Sequence, residues 1–495
     1  MTRDPARMHR YDEGTEALAH AVLAYALERV RLDPPPLDRP RTSAELDRLG
    51  ESITADGMGS MAALRLFCEH LAPACITQDH PRQLAFVPSA PTEAAVLFDL
   101  VVGASCIYAG SWMEGAGAVW AENHALRWIA DLVGLPAAAG GVFLSGGSAG
   151  NLSALVAARH RARAARPDGD GRPRWWVAAS AGVHASVEAA ARVMDVEVLK
   201  VPTDGRGRMT GDALRAELWR AGLVGPNSAP AGGEAGAGPV GVGPVGVGGS
   251  SPEPANTRSS EQVMFAVVAT AGTTNAGAID ELDAIADVCQ THGLWLHVDA
   301  AYGGAALVAP TARPLFSGIE RADSFVVDPH KWLFAPYDCA ALLYRDPANA
   351  AAAHAQHAGY LDVLHDDGDW NPSDYAFHLT RRARGLPFWY SLVTHGTEAY
   401  ADAVEASLSL ARRAAELISA HRELELLAEP QLSVVLFRRR GWDKPRYEAW
   451  SDQLLADQIA FCVPTTWRGE TVLRFCFIHP RTTTDDVRAI LATLG

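Results

Sequence analysis

The feature that most constrains this chain is a regular alternation between residues 141 and 344. Short apolar runs occupy 141–144, 175–179, 197–201, 264–269, 294–298, 324–327 and 340–344, with helix-patterned stretches at 152–165, 186–194, 210–221 and 282–292 between many of them. Continuous short runs suit strands buried on both faces. Strand–helix alternation needs crossovers that cover both faces of a largely parallel sheet, so an α/β architecture is expected. Upstream, residues 15–30 carry apolar positions at helical spacing and stop at Pro34-Pro35-Pro36. That spacing predicts an amphipathic helix that packs on something. After about residue 388, a long helical stretch (397–421) precedes strand candidates at 433–438 and 472–478. The expected organisation is a helical N-terminal segment (1–90), a large domain (91–387) and a small α+β C-terminal domain (388–495).

Residues 225–262 stand apart. They contain GPVGVGPVGVGG and SSPEPANTRSS and almost no bulky apolar side chain except Val. Such a segment cannot bury enough surface to offset its chain entropy, so a disordered surface insertion is expected, low in complexity rather than a docking linker. Residues 94–113 approach membrane length but include Asp99, Gly103 and Gly110. A buried helix or a subunit interface fits them better than a span, which needs about 20 nearly uninterrupted apolar residues. Lys+Arg total 43 against 58 Asp+Glu, a net charge of −15, which argues against a general nucleic-acid or anionic-membrane surface. The seven cysteines show no zinc spacing, and residues 1–14 lack a signal-peptide core, so a reduced, cytoplasmic chain is expected.

Lysine is rare here, found only at Lys200, Lys331 and Lys444. Lys331 lies in Asp328-Pro329-His330-Lys331-Trp332, directly after an apolar run. A lysine can lose its proton and form an imine, which arginine effectively cannot. On its own the motif fits a solvated surface lysine equally well. The run at 294–298 leads into Asp299-Ala300-Ala301-Tyr302-Gly303-Gly304. An acid at the end of a buried strand is costly unless a cation meets it, although a helix-capping Asp is the plainer alternative. Lys331 for a Schiff base and Asp299 for a protonated pyridine nitrogen are the pair that pyridoxal 5′-phosphate requires. Ser145-Gly146-Gly147-Ser148 precedes the 152–165 helix, and small residues there let backbone N–H groups approach a phosphate. Such turns are also common without a ligand. His184, after the second run, could stack on a planar ring, and the hydroxyls of Thr270, Thr273 and Thr274 sit where strand ends line a crevice. A satisfied lone histidine and ordinary turn chemistry are the alternatives.

Taken in order, SGGSAGNLSAL, AGVHASVEAAA, ATAGTTNAGAID, HVDAAYGG and DPHKWL resemble the group II pyridoxal-phosphate-dependent amino-acid decarboxylases, over roughly residues 77–480 apart from the insertion. The resemblance implies the aspartate-aminotransferase type of fold (fold type I) and a homodimer with active sites at the interface. It implies that Lys331 forms the Schiff base, Asp299 pairs with the pyridinium nitrogen and His184 stacks on the ring. Gly147 and Ser148 would hold phosphate, Thr274 would lie near the cofactor, and His330 near its phosphate end. Tyr360 matches a mobile-loop tyrosine that protonates the product carbon in the neighbouring subunit's site. Phe86, Pro88 and Ser89 match a segment that touches the substrate side chain. Asp328 stands where the animal aromatic decarboxylases have Asn. A carboxylate beside phosphate is unfavourable, so it is left off the expected site.

The expected activity is decarboxylation of an L-amino acid, with release of CO2 and a primary amine. An aromatic substrate is the first choice, with Phe86–Ser89 and Trp112 as apolar walls. Interface core is the plainer reading of the same residues. Glutamate, 2,4-diaminobutyrate or a specialised amino acid remain open as substrates. Aldehyde synthase, aminotransferase and non-catalytic cofactor-binding readings also remain, with Tyr360 favouring decarboxylation. The substrate, its pathway and any allosteric control are not readable from the residues.

Overall fold

All seven apolar runs become strands of one sheet in the computed structural model, which describes residues 6–166, 173–224, 261–359, 361, 363 and 370–495. They are β1 (Gly140–Leu144), β2 (Arg174–Ser180), β3 (Glu197–Val201), β4 (Gln262–Thr270), β5 (Trp295–Asp299), β6 (Ser324–Val327) and β7 (Ala340–Tyr344), in the order β1-β7-β6-β5-β4-β2-β3. Only β7 runs against its neighbours β1 and β6; the remaining pairs are parallel. Six strands therefore end on the same edge, and the loops that follow them converge there.

Alternate residues feed two apolar layers, as the two-residue period of a strand dictates. Phe143, Val267, Leu296, Val298, Phe325 and Val327 face one layer with the helices Trp112–Val133 and Leu282–His292. Val142, Leu144, Val177, Val268, Val326 and Leu342 face the other with Gly147–Ala164 and Ala185–Met194. The first of these latter helices starts five residues before the expected position. Gly147 and Ser148 form its opening turn rather than a preceding loop.

Residues 94–113 are not one helix. Glu93–Ser105 ends at Cys106, which takes the left-handed conformation, and the next helix starts at Trp112 with Ser111 as its cap. Among the described residues no helix is long and apolar enough to cross a membrane. The expected insertion lies mostly outside the described residues, but its last residue, Gln262, already opens β4. The helix Glu13–Arg31, capped by Asp12, buries none of its residues, and Leu23 and Leu27 stand exposed.

A second, antiparallel sheet has the order β10-β11-β9-β8, with β8 (Leu424–Leu426), β9 (Val434–Arg439), β10 (Pro464–Trp467) and β11 (Glu470–Cys476). The edge strands β8 and β10 are three and four residues long, too short to show a period in the sequence. The segment around Gln83 is stitched to this sheet. Gln83 bridges Phe461, and Cys476 N–H donates to the Leu84 carbonyl at 3.1 Å.

The helix Trp112–Val133 is tied to the approach to Leu386–His395 by a buried ion pair. Arg381 meets both Glu122 oxygens at 2.7 and 2.9 Å, and Gly385 N–H donates to Glu122 at 2.8 Å. Both side chains are at most 2% exposed. Removing one partner strands the other as an uncompensated charge. Arg381→Met is therefore expected to cost about 3–5 kcal/mol of stability, read as a lower urea midpoint with an unchanged slope.

Candidate active site

The loops that follow β1, β2, β4, β5 and β6 enclose a cleft of about 360 Å³. Its lining includes Gly147, Ser148, His184, Thr274, Asp299, His330 and Lys331, so the expected cofactor residues are brought together. The volume suits a small cofactor. Phe86, Pro88 and Ser89 lie outside this lining: Pro88 and Ser89 are buried, Ser89 Oγ donates to the Ala335 carbonyl, and Phe86 is 59% exposed. Tyr360 lies outside the described residues.

Asp299 ends β5 and is buried. Its Oδ1 accepts from Ala301 N–H at 3.1 Å, and its Oδ2 accepts from Asn151 Nδ2 at 2.9 Å. A chain of groups fixes the direction of that amide. Trp295 Nε1–H donates to Ser324 Oγ at 2.7 Å, and Ser324 Oγ lies 2.8 Å from His297 Nδ1. His297 Nε2 lies 2.8 Å from Asn151 Oδ1. An indole can only donate, and an amide oxygen can only accept. So Nε2 carries a proton, and with the His297 ring neutral Ser324 donates to Nδ1. Burial agrees, pushing His297 down to about 4. Asn151 Nδ2 also donates to Ser186 Oγ at 2.9 Å, which in turn meets His184 Nδ1 at 2.8 Å. One relay thus orients both Asp299 and His184.

Lys331 sits on the turn after β6. Its Nζ lies 2.8 Å from Asp328 Oδ2. Burial by itself would lower the lysine, but the Asp328 carboxylate outweighs it and holds Lys331 above its ordinary value. His330 is pushed below its ordinary value by burial, against the pull of Asp328, and its Nδ1 lies 2.7 Å from the Cys339 carbonyl. The turn is anchored by Trp332, fully buried and stacked on Tyr302 with centroids 5.3 Å apart. Tyr302 Oη in turn meets Ser433 Oγ at 2.5 Å, just before β9. The lysine-bearing turn is thereby tied to the second sheet. On the β4 side, Asp280 accepts from Thr270 N–H at 2.7 Å and Met209 N–H at 2.6 Å, and pins the loop that carries Thr274. Gly272 in that loop has φ +108°, and a side chain there would collide with Gly303.

At the opposite end, Gly147 begins its helix. A Cβ on it would lie 3.1 Å from the Ala301 methyl and from Asp328 Oδ1. The space beside it is thus one that only a glycine leaves open, at the positive end of a helix. A lysine, a fixed acid and an anion cradle around one cleft fit pyridoxal 5′-phosphate.

Several lining residues escaped the sequence reading. Asn151 and Ser186 have no motif of their own; they act through side-chain hydrogen bonds across the fold. Asp328 was set aside on charge grounds, yet lines the same cleft, as does Tyr337, which packs 4.9 Å from His330. Arg474, 3% exposed, donates from Nη1 to the Phe86 carbonyl at 2.7 Å, while its Nε and Nη2 are buried without a partner.

Sheet and cleft together define a pyridoxal-phosphate-dependent enzyme of fold type I. The profile described as "Pyridoxal-dependent decarboxylase conserved domain" matches residues 64–225 and 246–440, and the chain belongs to that family. It is 28% identical to the aromatic-L-amino-acid decarboxylase of Bacillus atrophaeus, over 90% of this chain and 87% of that one. It is 30% identical to the L-2,4-diaminobutyrate decarboxylase of Rhizobium meliloti (strain 1021), over 89% and 82%. The structure of Oryza sativa TDC with PLP and tryptamine shares the fold, with a TM-score of 0.83 at 23% identity over 100% of this chain and 99% of that one. The protein is a pyridoxal-phosphate-dependent amino-acid decarboxylase, a carboxy-lyase.

Asn151→Leu keeps the branching of the side chain but leaves Asp299 Oδ2 and His297 Nε2 without their partner. Cofactor affinity is expected to fall about 10–100-fold by equilibrium dialysis, the worth of a hydrogen bond to a charged group. The same histidine makes stability pH-dependent. The unfolded chain takes up a proton near the ordinary value of 6.5, while the folded chain refuses it until about 4. Its contribution is complete above the higher value and is lost as pH falls towards the lower one. The thermal midpoint is expected to drop across that window, and less so in His297→Gln.

Proposed function

We propose that the enzyme converts an aromatic L-amino acid to its primary amine and CO2, as a homodimer in the cytoplasm. The observation that carries the substrate class is the charge inventory of the cleft. Among the described lining residues, the only two carboxylates are Asp299, held by Asn151 and Ala301, and Asp328, paired with Lys331. Neither is free to receive the second ammonium of diaminobutyrate. Outside the lining, Phe86 presents an exposed ring at φ +53°, held by Arg474 through its carbonyl and 6.3 Å from the Phe461 ring. That is an apolar surface for a flat side chain, with Pro88 and Ser89 buried close by in sequence.

Bound cofactor supplies an electron sink for the bond to CO2. In this reading Lys331 Nζ holds it covalently, and Asp299 keeps its ring nitrogen protonated. His184, held through Nδ1 by Ser186, would lie against the ring. Gly147, Ser148 and His330 hold the phosphate end, and Thr274 closes the side. Tyr360 would protonate the product carbon from the neighbouring subunit.

Three observations support the dimer. The cleft is open on the side of His184, Ser148 and Tyr337, which are exposed. Leu100, Val101, Met113 and Trp120 form uncovered apolar surface on the two helices before β1. The helix Glu13–Arg31 has no fully buried residue, and Leu23 and Leu27 stand exposed on it. All seven cysteines are free thiols, as a reducing compartment would keep them.

The test is a panel of L-amino acids scored for CO2 release, with each product identified by mass. Amines from tryptophan, tyrosine or their hydroxylated relatives are expected. Turnover of glutamate or diaminobutyrate alone, or an aldehyde product, would overturn the reading. Lys331→Ala should lose both turnover and the absorbance of covalently held cofactor.

A further inference from the structure

Asp328 is the lining residue whose charge opposes the use of the cleft. Its carboxylate is 2% exposed. Oδ2 lies 2.8 Å from Lys331 Nζ and 3.7 Å from His330 Nε2, while Oδ1 is buried and accepts no hydrogen bond. Both oxygens face Gly147, where an added Cβ would meet them at 3.1 and 3.2 Å. A cofactor phosphate at this helix end and the Asp328 carboxylate must therefore share one small, poorly hydrated space.

Two anions that share such a site cannot both keep full charge without a matching cation. The groups that face Asp328 offer only one. On its own turn stand Lys331 and His330; farther along the same loop, Tyr337 and Cys339 feel its charge. From the helix and from the loop after β5 it meets the backbone at Gly147 and Ala301. Asp299 adds a second negative charge that acts on Lys331. His330 is kept neutral by burial, and the thiol and phenol are neutral near pH 7, so Lys331 is the one cation. It has to serve two anions, and it must surrender its proton before it can attack a carbonyl carbon.

We propose that Asp328 couples cofactor capture to proton uptake: when phosphate occupies the Gly147 end of the cleft, Oδ1 takes a proton from solvent and donates it as a hydrogen bond to a phosphate oxygen. Asp328 is then a positioning residue, which pairs with Lys331 in the free enzyme and becomes a neutral phosphate donor in the loaded one. The inference rests on the assignment of this cleft to the cofactor.

The probe is pyridoxine 5′-phosphate, an alcohol that cannot form an imine and so leaves the lysine's proton out of the count. Binding to the cofactor-free full-length protein is followed by calorimetry in two buffers of different ionisation enthalpy, for wild type and Asp328→Asn. Wild type is expected to take up about one proton more than the variant per ligand bound at pH 8. Its affinity should fall about tenfold per pH unit relative to the variant above neutrality, because one extra proton is linked to binding. Equal proton counts with parallel pH curves would overturn the role of Asp328 and leave the cleft assignment standing. No binding by wild type would overturn both. Zero proton uptake by wild type would sink the inference even if the variant did not fold.

Discussion

Asp299 is held at the end of a buried strand by directed donors. The donors are in series: the indole of Trp295 orients Ser324, Ser324 orients His297, and His297 orients the Asn151 amide against the carboxylate. Each link has only one workable direction, so the orientation at the cleft is decided four groups away, inside the sheet. His184 hangs from the same amide through Ser186. The acid and the imidazole thus share a single support on the helix Gly147–Ala164, and that helix also presents the anion cradle.

Lys331 is held in a different manner. Its neighbours fix the turn by packing, with Trp332 stacked on Tyr302 and Tyr302 bonded to Ser433. The lysine itself remains free to change partners, because its one close contact is an ion pair. Asp299 thus has rigid support, and Lys331 a support that lets its amine change partners.

Much of this was readable in advance. The seven strands of the large sheet follow from apolar runs bounded by turns, Asp299 stands out by the cost of an acid at a strand end, and Lys331 by the rarity of lysine and its capacity to form an imine. Three kinds of feature were hidden. Short edge strands such as Leu424–Leu426 show no period. Residues whose role is to orient another residue, such as Asn151 and His297, look like ordinary polar positions until the strands are laid side by side. Charge alone argues against Asp328 in the site, and only the folded cleft shows it paired with the lysine three residues on.

The stitching of residues 83–86 into the second sheet carries a topological consequence. Arg474 reaches the Phe86 carbonyl across 388 positions of chain. The closing unit at the C-terminal end therefore borrows a piece of backbone that emerges from the ribosome long before it. Excised alone, that unit would present an unpaired edge and a vacant place in its core where Leu84 belongs. Residues 83–86 and the second sheet thus hold each other directly although the large sheet lies between them in the chain, so a nick in a loop between them would leave the two still joined.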